Sequence, residues 1–249
     1  MSQILAKFNR TYVPVKDDDS HTNLGFDPLG HRLYARWANT GAGRIIPAFN
    51  MEAFQFEFLD ENRTVIGEFP ADGKTAGQLE ESIEQFLTKS GLEREGFRDK
   101  LHFEIPEYTF ADSALEKPSD AEREKWENIR SIGNEACSLL LGYLQEDSDI
   151  RIWPHHFDTG VYVEPNQKKG LGFGLAMKDS MVGDAYFYYS MYRLDGADSD
   201  YSGVPSLDTG RWIITEKWKG AVLPVSDFER GGLLVVKGFI KKVSDGYLQ

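Results

Sequence analysis

Three consecutive segments near the middle of the chain alternate in a way that only paired strands accommodate. In residues 150–164, Phe157, Val161 and Val163 share one parity, and His156, Asp158, Gly160, Tyr162 and Glu164 share the other. In 171–178, Leu171, Phe173, Leu175 and Met177 alternate with Gly172, Gly174, Ala176 and Lys178. In 185–193, Ala185, Phe187, Tyr189 and Met191 alternate with Tyr186, Tyr188, Ser190 and Tyr192. Successive side chains of a strand point to opposite faces, and a slip of one residue would turn every apolar side chain to the wrong layer. The spacing therefore predicts an antiparallel meander with Tyr188 opposite or diagonal to Gly174. One face is apolar and requires a helix packed on it. The other places His156, Asp158 and Tyr162 beside a strip of small residues flanked by Tyr186 and Tyr188.

The rest of the chain supplies the covering helices. Thr75 with Gln78, Ser119 with Glu122 and Ser226 with Glu229 each have the spacing of a reciprocal capping box. After the first, Leu79, Ile83, Phe86 and Leu87 form a helical stripe ending at Gly91. After the second, Trp126, Ile129, Cys137, Leu140, Leu141 and Leu144 mark a helix running to about Glu146, the expected cover for the sheet. The third box opens a helix over 227–243, weakened by Gly231, Gly232 and Gly238. Phe54, Phe56 and Phe58, the polar turn at 60–63 and residues 64–69 read as a hairpin. Further strands are expected at 32–37, 101–105 and 211–215. Without βαβ alternation, the order predicts an α+β fold, mainly an antiparallel sheet with helices packed on one face.

We read residues 1–249 as a single domain with 1–24 loosely ordered, because neither side of the polar stretch 111–120 has enough elements to cover its own strands. Its 28 Lys and Arg against 40 Asp and Glu leave a net charge of −12, which argues against a nucleic-acid partner. No apolar run approaches a membrane span, and Met1 to Ala6 lacks a signal-peptide core, so a cytoplasmic location and no membrane partner are expected. Cys137 is the only cysteine; it excludes an intrachain disulfide and falls in an apolar stripe, as a core residue would.

The densest cluster of informative residues is Trp153-Pro154-His155-His156-Phe157-Asp158. With Ala185-Tyr186-Phe187-Tyr188 and Trp218-Lys219-Gly220-Ala221-Val222-Leu223-Pro224, it resembles the signatures of a bacterial family of unknown function, the DUF5996-like family. The resemblance extends over about 54–227 and implies that His156, Asp158, Tyr186 and Trp218 matter, without supplying an activity.

These features predict a small-molecule ligand in a pocket on the sheet, with His156 and Asp158 as polar or catalytic focus and Trp153, His155, Tyr162, Tyr186, Tyr188 and Trp218 as walls. Two alternatives stand beside it. His-x-Asp spacing on a strand suits two ligands of a divalent metal, with His102-Phe103-Glu104 as a second such pair, in a metal-dependent hydrolase or oxygenase. Tyrosine and tryptophan also serve as anchors of a protein-interaction module. Whether the chain is an enzyme stays open, since no nucleophile announces itself: there is no Gly-x-Ser-x-Gly elbow. Gly170 to Gly174 leads into a strand and not into a helix, so it is no phosphate loop. Asp195 to Asp200 has the composition of a calcium loop without its ordered ligands or closing Glu.

Overall fold

The computed structural model describes all residues except 93–94, 106–112, 229–231 and 249. Helices and two antiparallel sheets make an α+β fold. The chain groups into two compact units, Met1–Asn128 with Ile152–His156, and Ile129–Arg151 with Phe157–Gln249. The division runs through a long helix and again after His156.

In the first unit, residues expected to be loosely ordered form α1 (Ser2–Tyr12), which buries Ile4, Leu5 and Phe8. No side chain caps its N-terminus, so the signature that marks the other helices is missing from the sequence. The strands are β1 (Gly25–Asp27), β2 (Arg32–Tyr34), β3 (Ala38–Thr40), β4 (Gly43–Asn50), β5 (Gln55–Asp60) and β6 (Val65–Pro70). They pair in the order β1-β2-β4-β5-β6, with β3 also on β4. The β5–β6 hairpin is as expected. Its Phe58 packs on Phe8 of α1 and on Phe86 of α2 (Ala76–Lys89), with ring centroids 6.1 and 4.8 Å apart. Both bonds of the Thr75–Gln78 capping box are formed.

Of two expected strands here, one is shortened where a side chain takes a backbone group that a ladder would use, and the other does not form. Buried Asn9 donates Nδ2 to the carbonyls of Thr22 and Asn23, and its Oδ1 accepts the Arg36 amide at 2.7 Å. Consequently the strand over 32–37 stops at Tyr34. The guanidinium of Arg10 donates to the carbonyls of Gly96, Phe97, Asp99 and Lys100. The following residues 101–105 are irregular, and no strand carries His102 and Glu104.

The long helix α3 (Asp120–Leu144) opens on the expected Ser119–Glu122 box. Trp126 meets Phe26 within the first unit, whereas Ala136, Cys137 and Leu140 lie in the core of the second. After β7 (Arg151–Ile152) come β8 (Thr159–Asn166), β9 (Lys169–Ala176), β10 (Tyr186–Arg193), β11 (Arg211–Ile214), β12 (Lys219–Pro224), α4 (Val225–Phe228) and α5 (Leu233–Leu248). In the second unit the order is β11-β12-β10-β9-β8, antiparallel throughout. As the parity predicts, Val161, Val163, Leu171, Phe173, Leu175, Phe187, Tyr189 and Met191 form the core face, covered by α3 and by Val236, Phe239, Ile240 and Val243 of α5. Tyr188 pairs with Gly174, which in turn pairs with Gly160.

Alternation does not extend back to 150. Pro154 to His156 form a turn, and Phe157 has φ 57°, in the left-handed region where a strand cannot continue. The expected helix over 227–243 is likewise divided: α4 ends at Phe228, Gly232 has φ 54°, and α5 runs on to Leu248. Glu229 of the third capping box lies outside the described residues. Among the described residues no helix is long and apolar enough to cross a membrane.

Candidate functional site

The face of the second unit's sheet opposite its core carries the glycines and tyrosines that the sequence brings together. A strip of small residues on a sheet face either leaves open volume or seats aromatic rings, and here aromatic side chains fill the space. A Cβ at Gly160 or Gly174 would lie 2.5 or 2.7 Å from the Tyr188 hydroxyl, and one at Gly220 would lie 2.6 Å from Trp218. Tyr162 similarly covers Gly170, and Tyr192 covers Gly172. Glycine is required at Gly160 and Gly174, where backbone and the Tyr188 ring close over the position, whereas the half-exposed Tyr192 ring over Gly172 can turn aside.

The result is an aromatic pavement with two different ends. At one, Tyr162 and Tyr192 stand with ring centroids 6.1 Å apart and remain 41% and 48% exposed. Burial and the neighbouring Glu164 push the Tyr162 phenol up to about 12. At the other, Tyr186 packs with Val182 and Val222, flanked by Met181, Ile213 and Trp218. Its hydroxyl donates to Asp179 Oδ2 at 2.7 Å, while Asp179 Oδ1 accepts the Met181 and Val182 amides.

Beneath Tyr188 lies a buried polar cluster. The Tyr188 hydroxyl donates to Asp158 Oδ2 at 2.7 Å. Burial and the Asp158 charge hold this phenol well above the usual tyrosine range. Arg130 of α3, with no exposed surface, donates Nη1 to Thr159 Oγ1 at 2.9 Å and Nη2 to the Phe157 carbonyl. Its guanidinium lies 4.3 Å from the centroid of the Phe157 ring. Burial lowers its pKa to about 10, with the Asp158 charge acting in the opposite direction. Asp158 Oδ1 is buried and has no hydrogen-bond partner among the described residues. The Cys137 thiol is pushed far up by burial and by Asp158, so it is an inert core group.

Arg130 and Thr159 escaped the sequence reading. The available signal was spacing: 126, 130, 133, 137, 140 and 144 advance by alternating steps of four and three, the seam of a buried helix face. Arg130 and Gly133 interrupt an otherwise apolar seam. At Gly133 a Cβ would approach Leu175 to 3.1 Å, so the helix favours a small residue there.

His156 lies in the first unit and Asp158 in the second. The His156 side chain is exposed, and its ring is 4.5 Å from that of His155. His155 in turn lies 6.0 Å from Trp153 and 5.4 Å from Phe103. His102 bonds Asp19 Oδ2 through Nε2 at 2.9 Å. Among the described residues no group of three or more His, Cys, Asp or Glu side chains is arranged to hold a metal ion. Comparison with protein-family models, with curated proteins and with solved structures finds no match for this chain.

Proposed function

We propose that the second unit binds a neutral, hydroxyl-bearing small molecule, a polyol or a sugar, on its aromatic face, with Asp158 as the polar focus. The observation that carries this reading is the buried Oδ1 of Asp158, an acceptor without a donor among the described residues. A buried acceptor left unpaired costs about 1–3 kcal/mol, which a ligand O–H or N–H would recover. Neutrality follows from Arg130: its cation already interacts with the Asp158 charge, so a second cation would find the site's charge largely matched. Exposed Tyr162 and half-buried Tyr188 and Trp218 supply apolar ring surface for the carbon skeleton, with buried Tyr186 packed behind them, and a ligand with apolar faces and a few donors suits such walls. Kinship with the DUF5996-like family belongs to the same proposal and adds no activity to it. The metal-dependent enzyme and the protein-interaction module have no comparable observation behind them.

Titration calorimetry with a panel of hexoses, inositol and glycerol tests the reading. Saturable binding of at least one is expected, weakened about tenfold or more in Asp158→Asn, which replaces the free acceptor by an amide and retains an oxygen for Tyr188. No saturable binding across the panel, or equal affinity in the variant, would sink it.

A further inference from the structure

We infer that the second unit holds a separate site for a phosphate-bearing small molecule, in a cavity of about 820 Å³ between the turn after β8, the end of β10 and the last turn of α5. That volume lies within the range of small-molecule pockets. In a chain of net charge −12, Lys168, Lys169 and Arg193 meet at this one cavity, against Asp195 and Asp200.

The polarity of the cavity follows from which hydrogen-bonding groups are already used. Asp195 Oδ1 accepts from Arg193 Nε at 3.0 Å and from the Ala197 amide at 3.1 Å, and its Oδ2 pairs with Arg193 Nη2. Asp200 Oδ1 accepts the Ser202 amide at 2.8 Å. The Ser199 hydroxyl donates to the Met191 carbonyl at 3.0 Å. Much of the wall's acceptor capacity is therefore spent within the wall.

The donors are only partly spent: Arg193 gives Nε and Nη2 to Asp195 and keeps Nη1. A guanidinium has five N–H groups and an ammonium three, and Arg193 Nη1 donates to nothing among the described residues. Lys169 gives one donor to the Tyr247 carbonyl and lies 4.7 Å from that ring's centroid. Its bond also neutralises a carbonyl in the last turn of α5, whose partial negative charge would otherwise repel an anion. Lys168 has no side-chain partner among the described residues. Three cationic side chains from two strand ends thus offer more donors than the two oxygens of a carboxylate can engage. The three terminal oxygens of a phosphate group match them, with the Arg fork and Lys ammonium as its usual partners. The cavity exceeds a phosphate in size, leaving Val204 and Tyr247 for the organic part of the molecule.

Calorimetric titration of the whole chain with inorganic pyrophosphate, in buffer free of divalent ions, tests the inference. Saturable binding that weakens with added NaCl is expected, reduced about tenfold by Arg193→Gln and several-fold by Lys168→Gln. The second variant removes an ammonium that holds no other side chain among the described residues, so its effect reads binding and not stability. Asp158→Asn should bind pyrophosphate as wild type does, which separates this site from the aromatic face. Failure to saturate below about 10 mM, or wild-type affinity in Lys168→Gln, would overturn it.

Discussion

A guanidinium with no exposed surface, such as that of Arg130, survives in a core only if its donors are met. Thr159 Oγ1, the Phe157 carbonyl and the Phe157 ring face receive it, and Asp158 supplies the opposing charge. Among the described residues the same carboxylate is held by a single hydroxyl, that of Tyr188. Tyr188→Phe should therefore lower unfolding stability by about 1–3 kcal/mol, since it leaves both carboxylate oxygens without a donor. His156→Ala should change stability by no more than about 0.5 kcal/mol, because an exposed ring in a turn supports little packing. Chemical denaturation of the two variants distinguishes these environments, and equal losses would contradict them. At this scale the sequence was half legible. Strand parity located Tyr186, Tyr188 and Gly174 on one face, but the pairing of His156 with Asp158 assumed alternation through Phe157, whose positive φ no periodicity reveals.

Elements were legible where periodicity and capping agreed, as in α2, α3 and the β8–β9–β10 meander. They were misread where a distant side chain decides the backbone's partners. Asn9 ends β2 by taking the Arg36 amide, and Arg10 holds the carbonyls before 101–105; neither contact leaves a local pattern. The glycine strip was legible as a pattern, with two outcomes open, and packing chose the one in which rings lie over glycines. That choice makes the glycines unequal. A Cβ at Gly174 would meet the Thr159 carbonyl and come within 2.7 Å of the Gly160 Cα, both backbone. At Gly172 the nearest obstacle is the Tyr192 ring at 3.3 Å, on a side chain half exposed and able to turn. Gly174→Ala should cost about 3 kcal/mol or more by forcing β8 from β9. Gly172→Ala should cost about 1 kcal/mol or less. Urea melts of both variants give the comparison, and similar midpoints would show that strand spacing does not depend on Gly174.

Across the whole chain the units differ in what titrates. Tyr186, Tyr188, Tyr189 and Tyr201 all belong to the second unit and are buried or half-buried, and burial raises each phenol, Tyr201 to about 12 and the others further. A phenol whose folded pKa exceeds its unfolded value, about 10, contributes stability that is fully present below pH 10. That contribution falls as pH rises toward the folded value, because the unfolded chain releases protons that the folded one retains. Acidic pH leaves these groups neutral in both states and is without effect on them. The second unit should therefore unfold in alkali, its tyrosines ionising only as the sheet opens. In a jump to about pH 11, exposed phenols that keep the ordinary value near 10 should appear as phenolate within the mixing time, while Tyr162, pushed up to about 12, stays mostly protonated. The buried set should follow in a slow phase whose rate equals the loss of near-ultraviolet circular dichroism. Removing one member by Tyr189→Phe should shift that slow phase to higher pH, since one fewer proton is released on opening, although the lost bond to Ser244 opposes it through a general loss of stability. Ionisation of every phenol within the mixing time, with the dichroism still intact, would mean that these rings are accessible in the folded sheet and that their burial does not set the alkaline limit.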